Sequence, residues 1–222
     1  MRNIVLFKIS SIALVLLLVL QGCQKVSGDF YKYDNPNAVF AGSTYQFLQS
    51  QQGLYDSLLL VIDKIPDIRE KLQSGSATFF AASNKSFEIA LENLNVFRAL
   101  QGRPPLYLQQ ADSTHLDTLM RRYIFNDRIL TDSISMLSGG QEYPSIGGHM
   151  MHLKYERRDA SGYMKGGPQV IVFSDMKDSQ FERYWVKTST NSVNINTTSG
   201  IVHILAGTHE FGFGEYAERM NK

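Results

Sequence analysis

The stretch that most constrains the fold is residues 77–87, Ala-Thr-Phe-Phe-Ala-Ala-Ser-Asn-Lys-Ser-Phe. Thr78, Phe79 and Phe80 suit a pleated, half-buried surface, so the stretch opens as a strand. Ser83-Asn84 can accept hydrogen bonds from the free N–H groups of a helix start. A helix is expected next, with Phe87, Ala90, Leu91, Leu94 and Phe97 facing inward and Glu88 in its first turn. One short piece thus supplies a strand, a cap and a core-facing helix.

The flanking pattern is helical before and extended after. Residues 43–50 read as a short helix capped by Ser43 or Thr44, with Tyr45 and Leu48 inward. Tyr55, Leu58, Leu59 and Ile62 recur at amphipathic spacing. Pro66 ends or kinks that helix, and Ile68 and Leu72 carry further turns to Gly75. Residues 101–112 form a loop in which Leu106, Tyr107 and Leu108 make a small exposed apolar spot. Residues 113–125 return to helix, with Thr114 and Asp117 as a capping box and Leu116, Leu119, Met120 and Tyr123 inward. Residues 132–137 form a last short helix before Gly139-Gly140. Then come short alternating or β-branched runs at 141–146, 149–158, 169–174, 183–189, 193–196 and 201–206, separated by glycine-rich turns, the pattern of an antiparallel sheet. Helices first and strands later imply an α+β domain. The 78–80 strand must then join the later sheet through a long-range contact.

The N-terminus reads as an address. Arg2 and Lys8 precede an apolar run at 12–20, shorter than the ~20 residues a spanning helix needs. Leu20-Gln21-Gly22-Cys23 resembles a bacterial lipobox, and Cys23 is the only cysteine of 222 residues. The resemblance implies cleavage before Cys23, a lipid on its sulfur and an outer-membrane anchor of the Gram-negative type, on either face. Loss of Arg2 and Lys8 takes the formal charge from +1 to −1, which gives no support for nucleic-acid binding. The expected organisation is a signal peptide at 1–22, a lipidated cysteine and polar tether at 23–42, one domain at 43–216 and a tail at 217–222.

Two stretches, and half of a third, resemble the fasciclin-domain family. The first family motif reads roughly Thr-x-Phe-Ala-Pro-x-Asn-x-Ala-Phe; Thr78, Phe80, Ala81, Asn84 and Phe87 match it, with Ala82 and Ser86 at the proline and alanine places. The second reads roughly Asn-Gly-x-Ile-His-x-Ile-Asp; Gly200 and His203 match it, and Ala206 replaces the aspartate. Between them the family has a Tyr-His pair; Tyr123 is present and Ile124 takes the histidine's place. The resemblance implies a wedge of two small β-sheets with helices packed along it. It also implies a non-catalytic adhesion or binding module for an extracellular glycan or protein. The alternatives are a structural accessory subunit of an outer-membrane complex and, as a minor reading, an unrecognised hydrolase.

Little in the chain suggests chemistry. His115, His149, His152, His203 and His209 lack the spacing of a zinc site, and His149 and His152 fall on opposite faces of a predicted strand. His203, between Val202 and Ile204, reads as a buried neutral imidazole bonded to backbone. No nucleophile elbow, dinucleotide fingerprint or phosphate loop occurs. No catalytic residue, metal or cofactor is expected. Tyr184 and Trp185 adjoin on a predicted strand, and Trp185 is the best single candidate for stacking on a sugar ring.

Overall fold

Element order follows the pattern of helices first and strands later, giving an α+β fold. The computed structural model describes residues 38–135, 138–160, 162 and 164–222. Leu20, Gly22 and Cys23, with the signal segment and most of the tether, lie outside them. The helices are α1 (Thr44–Ser50), α2 (Asp56–Asp63), α3 (Pro66–Ser74), α4 (Asn84–Leu100), α5 (Ser113–Met120), α6 (Thr131–Ser135) and α7 (Tyr216–Met220). The strands are β1 (Ala77–Ala81), β2 (Ile124–Phe125), β3 (Gln141–Pro144), β4 (Met150–Arg157), β5 (Gln169–Asp175), β6 (Val186–Thr197) and β7 (Gly200–Leu205).

The seven strands run in the order β2-β1-β7-β6-β5-β4-β3. β1 lies parallel to β7, with Thr78 opposite Ile201 and Phe80 opposite His203. The early strand and the last strand therefore meet in one sheet, as the 78–80 pattern requires. Gly200 opens β7 at φ +146°, and a Cβ there would overlap the Ala77 carbonyl. Only glycine permits so close an approach of two backbones.

The two halves of the sheet share β6. Its first part, Val186 to Ser189, pairs with β5. Its second part, Thr190 to Thr197, pairs with β7 through two register shifts. Such bulges bend a strand and let it change partners. Asn194 sits in the bulged region at φ +60°, a left-handed conformation that asparagine tolerates better than most residues.

The core joins the inner faces of α1–α5 to β1, β4, β5 and β7, with Phe211, Phe213 and Tyr216 closing it from the C-terminal side. Phe80 stacks on Phe173 at 4.2 Å and meets Phe125 edge-on at 5.7 Å.

Several expectations are corrected. Residues 183–189 and 193–196 are not two strands; Glu182–Tyr184 is a 3-10 turn and one strand runs from Val186. The helix at 113–125 stops at Met120, because the next residues are drawn elsewhere. Arg122 goes to Asp175, Tyr123 to His209, and β-branched Ile124 to Phe79. Its cap is Asp112, which accepts from Thr114 and His115 N–H, while Asp117 binds Arg121. Ser83 makes no side-chain cap bond, and the first turn of α4 holds no acid; Glu88 pairs with Lys85. Phe97 is exposed rather than inward, whereas Leu108 is buried. The short helix before Gly139 is Thr131–Ser135, and residues 136–137 lie outside the described set. The C-terminal residues are no loose tail, since α7 packs on α4 and Met220 is buried. The last tether residues also dock. Asn196 N–H donates to Ala38 O (2.7 Å), Phe40 N–H to Asn196 O (2.8 Å) and Thr198 N–H to Gly42 O (2.9 Å).

Candidate functional site

Most motif residues converge on structural work. Thr78 Oγ1 donates to Asp127 O (2.6 Å) and accepts from Ile129 N–H (2.8 Å). His203 Nε2–H donates to Ile129 O (2.9 Å), and its Nδ1 accepts from Asn194 N–H (3.2 Å). Both ring nitrogens are thus used, and burial lowers the imidazole to about 4, so it is neutral at pH 7. Asn194 then clasps Thr131 through both ends of its amide, at 3.0 and 2.6 Å. Together these groups pin the 127–131 segment against β1 and β7.

Asn84 acts on a different helix from the one it begins. Its Oδ1 accepts from Ser57 N–H (2.9 Å), in the first turn of α2, and its Nδ2 donates to Gly53 O (3.0 Å). Tyr55, at the cap position of α2, offers no side-chain cap bond. Asn84 supplies it from 27 residues away. Phe87 stacks on Phe211 at 4.3 Å, and Ala81 pairs with Ile204. Tyr123 accepts from Gly212 N–H (2.8 Å) and donates to His209 Nε2 (2.8 Å). A histidine far along the chain therefore partners the tyrosine, while Ile124 pairs with Phe79. Burial lowers His209 to about 3.

A buried ionic cluster joins the end of β5 to the C-terminal segment. Arg122 bonds Asp175 (2.7 Å) and, through both terminal nitrogens, Glu215 (2.8 Å). His149 Nε2 bonds Asp175 (2.8 Å), Lys177 reaches both carboxylates, and Arg219 adds to Glu215. Burial alone would raise both acids. Hydrogen bonds from His149 and Lys177 N–H, with Arg122 beside it, hold Asp175 far below the usual range; Arg122 and Lys177 hold Glu215 at about 2. A cavity of about 290 Å³ beside the cluster is lined by Arg121, Arg122, Arg219, His149 and Ser145 among others. Each arginine is already ion-paired, so the cluster is a staple rather than a receptor. Sequence reasoning missed it, since no local spacing links Arg122, Asp175 and Glu215.

The exposed candidate lies between β5 and β6. Phe181 is 64% exposed and Tyr184 55%, and their rings meet edge to face at 6.4 Å. The Arg183 guanidinium sits over both, 5.3 and 4.8 Å from the centroids. Such cation–π contacts orient the cation and leave its N–H groups available. No carboxylate pairs with Arg183 among the described residues. Trp185 departs from expectation. It precedes β6, is half-buried against His152 at 4.7 Å, and its indole N–H donates to Ser179 O (2.7 Å). Phe181 and Tyr184 are thus the exposed aromatics of this segment. A groove of about 490 Å³ runs alongside β6, lined by Val172, the Val186 to Ser189 run, the Thr208 to Glu210 run, Phe213 and Gly214.

Among the described residues, no group of three or more His, Cys, Asp or Glu could hold a metal, and no helix is long and apolar enough to cross a membrane.

No family model matches the chain, and no curated protein matches it in sequence. Among solved structures it is similar to a FAS1 domain pair from the insect cell adhesion molecule fasciclin I, at 15% identity and a TM-score of 0.44. The match covers 71% of this chain and 44% of that one, so the chain spans less than half of that structure. At that level the match carries no ligand or partner across.

Proposed function

We propose that this chain is a non-catalytic, adhesion-type binding module, held at the cell envelope by lipid on Cys23. Phe181, Arg183 and Tyr184 beside the β6 groove form its contact face. The observation that carries the reading is this exposed aromatic pair with a cation lodged across it. Tyr and Arg are the residue types that dominate binding hot spots, and solvent-facing apolar rings can stack on sugar or peptide groups. The test is binding to a glycan array and to surface extracts with the Phe181→Ala/Tyr184→Ala double variant as control. The wild type should bind. The variant should lose at least about tenfold in affinity, the scale of a hot-spot pair, with stability shifted by no more than about 0.5 kcal/mol. Binding unchanged in the variant overturns the site.

A second reading, an accessory subunit of an outer-membrane complex, is favoured by Val96, Phe97 and Leu100. These are exposed on neighbouring positions of α4. It predicts co-purification with a membrane partner after mild detergent extraction, abolished by Phe97→Ser/Leu100→Ser. A chain that purifies alone under those conditions counts against it.

A further inference from the structure

β6 changes partners half-way along, and this leaves one edge open at each end. Beside its second half, the edge away from β7 is taken by the incoming chain, where Val39 bridges Asn196 in parallel. Beside its first half, the edge away from β5 faces the groove. β7 ends at Leu205, opposite Thr190, and the chain then turns off through Thr208 to Gly214. The polarity of that edge follows from one bond. Ser189 O accepts from Ala206 N–H (2.8 Å), so Ser189 points its backbone groups away from β5. Backbone direction alternates along a strand, and the register from Val186 to Ser189 is regular, so Lys187 points its N–H and C=O the same way. No backbone bond joins Lys187 to the 206–214 segment among the described residues. The groove therefore leaves the edge of β6 unfilled at Lys187, next to the Ser189 position that Ala206 already occupies.

The two walls of the groove differ. Val186, Thr188 and Phe213 lie toward the core side, whereas Lys187 and Ser189 lie on the opposite face of β6. Arg158 reaches that outer face through a bond to Ser189 Oγ (2.9 Å), and it has no carboxylate partner among the described residues. Lys187 already pairs with Glu182 (2.8 Å). Glu210 lines the far wall.

We infer that the open edge of β6 at Lys187 receives an extended segment of a partner protein, apolar on the side facing Val186 and acidic on the side facing Arg158. Main-chain bonds to Lys187 give the affinity, and the alternating side chains give the selectivity. The inference rests on the binding-module reading above and narrows its ligand to a peptide strand.

The probe is a displayed library of short random peptides, panned against the full chain in detergent, with affinities of the enriched peptides read by fluorescence anisotropy. Enriched sequences should alternate apolar and acidic residues. N-methylation of alternate peptide amides should weaken binding by about tenfold or more, the scale of one or two lost hydrogen bonds, and methylation of the intervening amides should not. Lys187→Pro should weaken binding similarly. The N–H it removes lies outside the β5 ladder, so the urea midpoint should hold. Arg158→Ala should erase the acidic preference alone. Peptides insensitive to N-methylation, or a library that yields no binder, overturn the inference. So does a concentration-dependent dimer broken by Lys187→Pro, since the occupant is then a second copy. If glycan binding through Phe181 and Tyr184 survives those outcomes, the binding-module reading stands without the open edge. If no probe binds by either route, that reading falls as well.

Discussion

At the residue scale, His203 and His209 show how burial converts a titratable ring into a structural one. Their folded values, about 4 and about 3, lie below the ordinary imidazole value near 6.5. The unfolded chain therefore binds protons that the folded chain refuses, and stability falls as pH drops below about 6.5. Each ring should cost about 2 kcal/mol between pH 6.5 and 5, at about 1.4 kcal/mol per unit. Urea midpoints at pH 7.5 and 5 check this, and a flat profile contradicts it. The Asp175 and Glu215 carboxylates act lower down. Their depressed values give stability that is present above about pH 4.5 and lost as pH falls toward 2. Phe80→Ala removes the ring packed among Phe173, Phe125 and His203 and should cost about 3–5 kcal/mol, read from the denaturant midpoint.

At the element scale, legibility depended on whether the deciding partner was near in sequence. The α1 cap was readable because Ser43 and Gln46 form a capping box within one turn. The α4 cap was misread because Asn84 serves α2 instead. Asn84→Ala should cost about 1–2 kcal/mol, the usual loss for a cap. That β1 joins the later sheet could be anticipated from its β-prone residues, and the structure makes β7 its parallel partner. Gly200→Ala tests that pairing, because the new Cβ meets the Ala77 carbonyl at a strained φ. A loss of about 3 kcal/mol or more is expected in thermal or urea unfolding, and a near-neutral variant contradicts the close approach. The break of α5 into turn and strand at Arg121 to Phe125 was not readable. Leu116, Leu119, Met120 and Tyr123 keep helical spacing, and what interrupts them is the pull of Asp175, His209 and Phe79 from elsewhere. The exposed face at Phe181 and Tyr184 was hidden for a similar reason. A 3-10 turn stands where alternation suggested strand, and Ser179 captures the more conspicuous Trp185.

At the scale of the whole molecule, the chain closes on itself. Truncation after Glu215 removes α7 with the buried Tyr216 and Met220, and the shortened chain should lose several kcal/mol, about 2–5 for each of the two side chains. Cys23→Ala should move the protein from the membrane pellet to the soluble fraction on cell fractionation, and retention in the pellet contradicts a lipid anchor. The entry of the chain beside β6 bears on how such an anchor would be felt. Residues 38–42 are tied to Asn196 and Thr198 by three backbone bonds, and Phe40 lies edge-on against Phe47 at 5.5 Å. A tug from the bilayer side would strain this short seam first. Its load would enter the body at Asn196 of β6, and the seam would act as a mechanical fuse, parting before the ladders on either side of that strand.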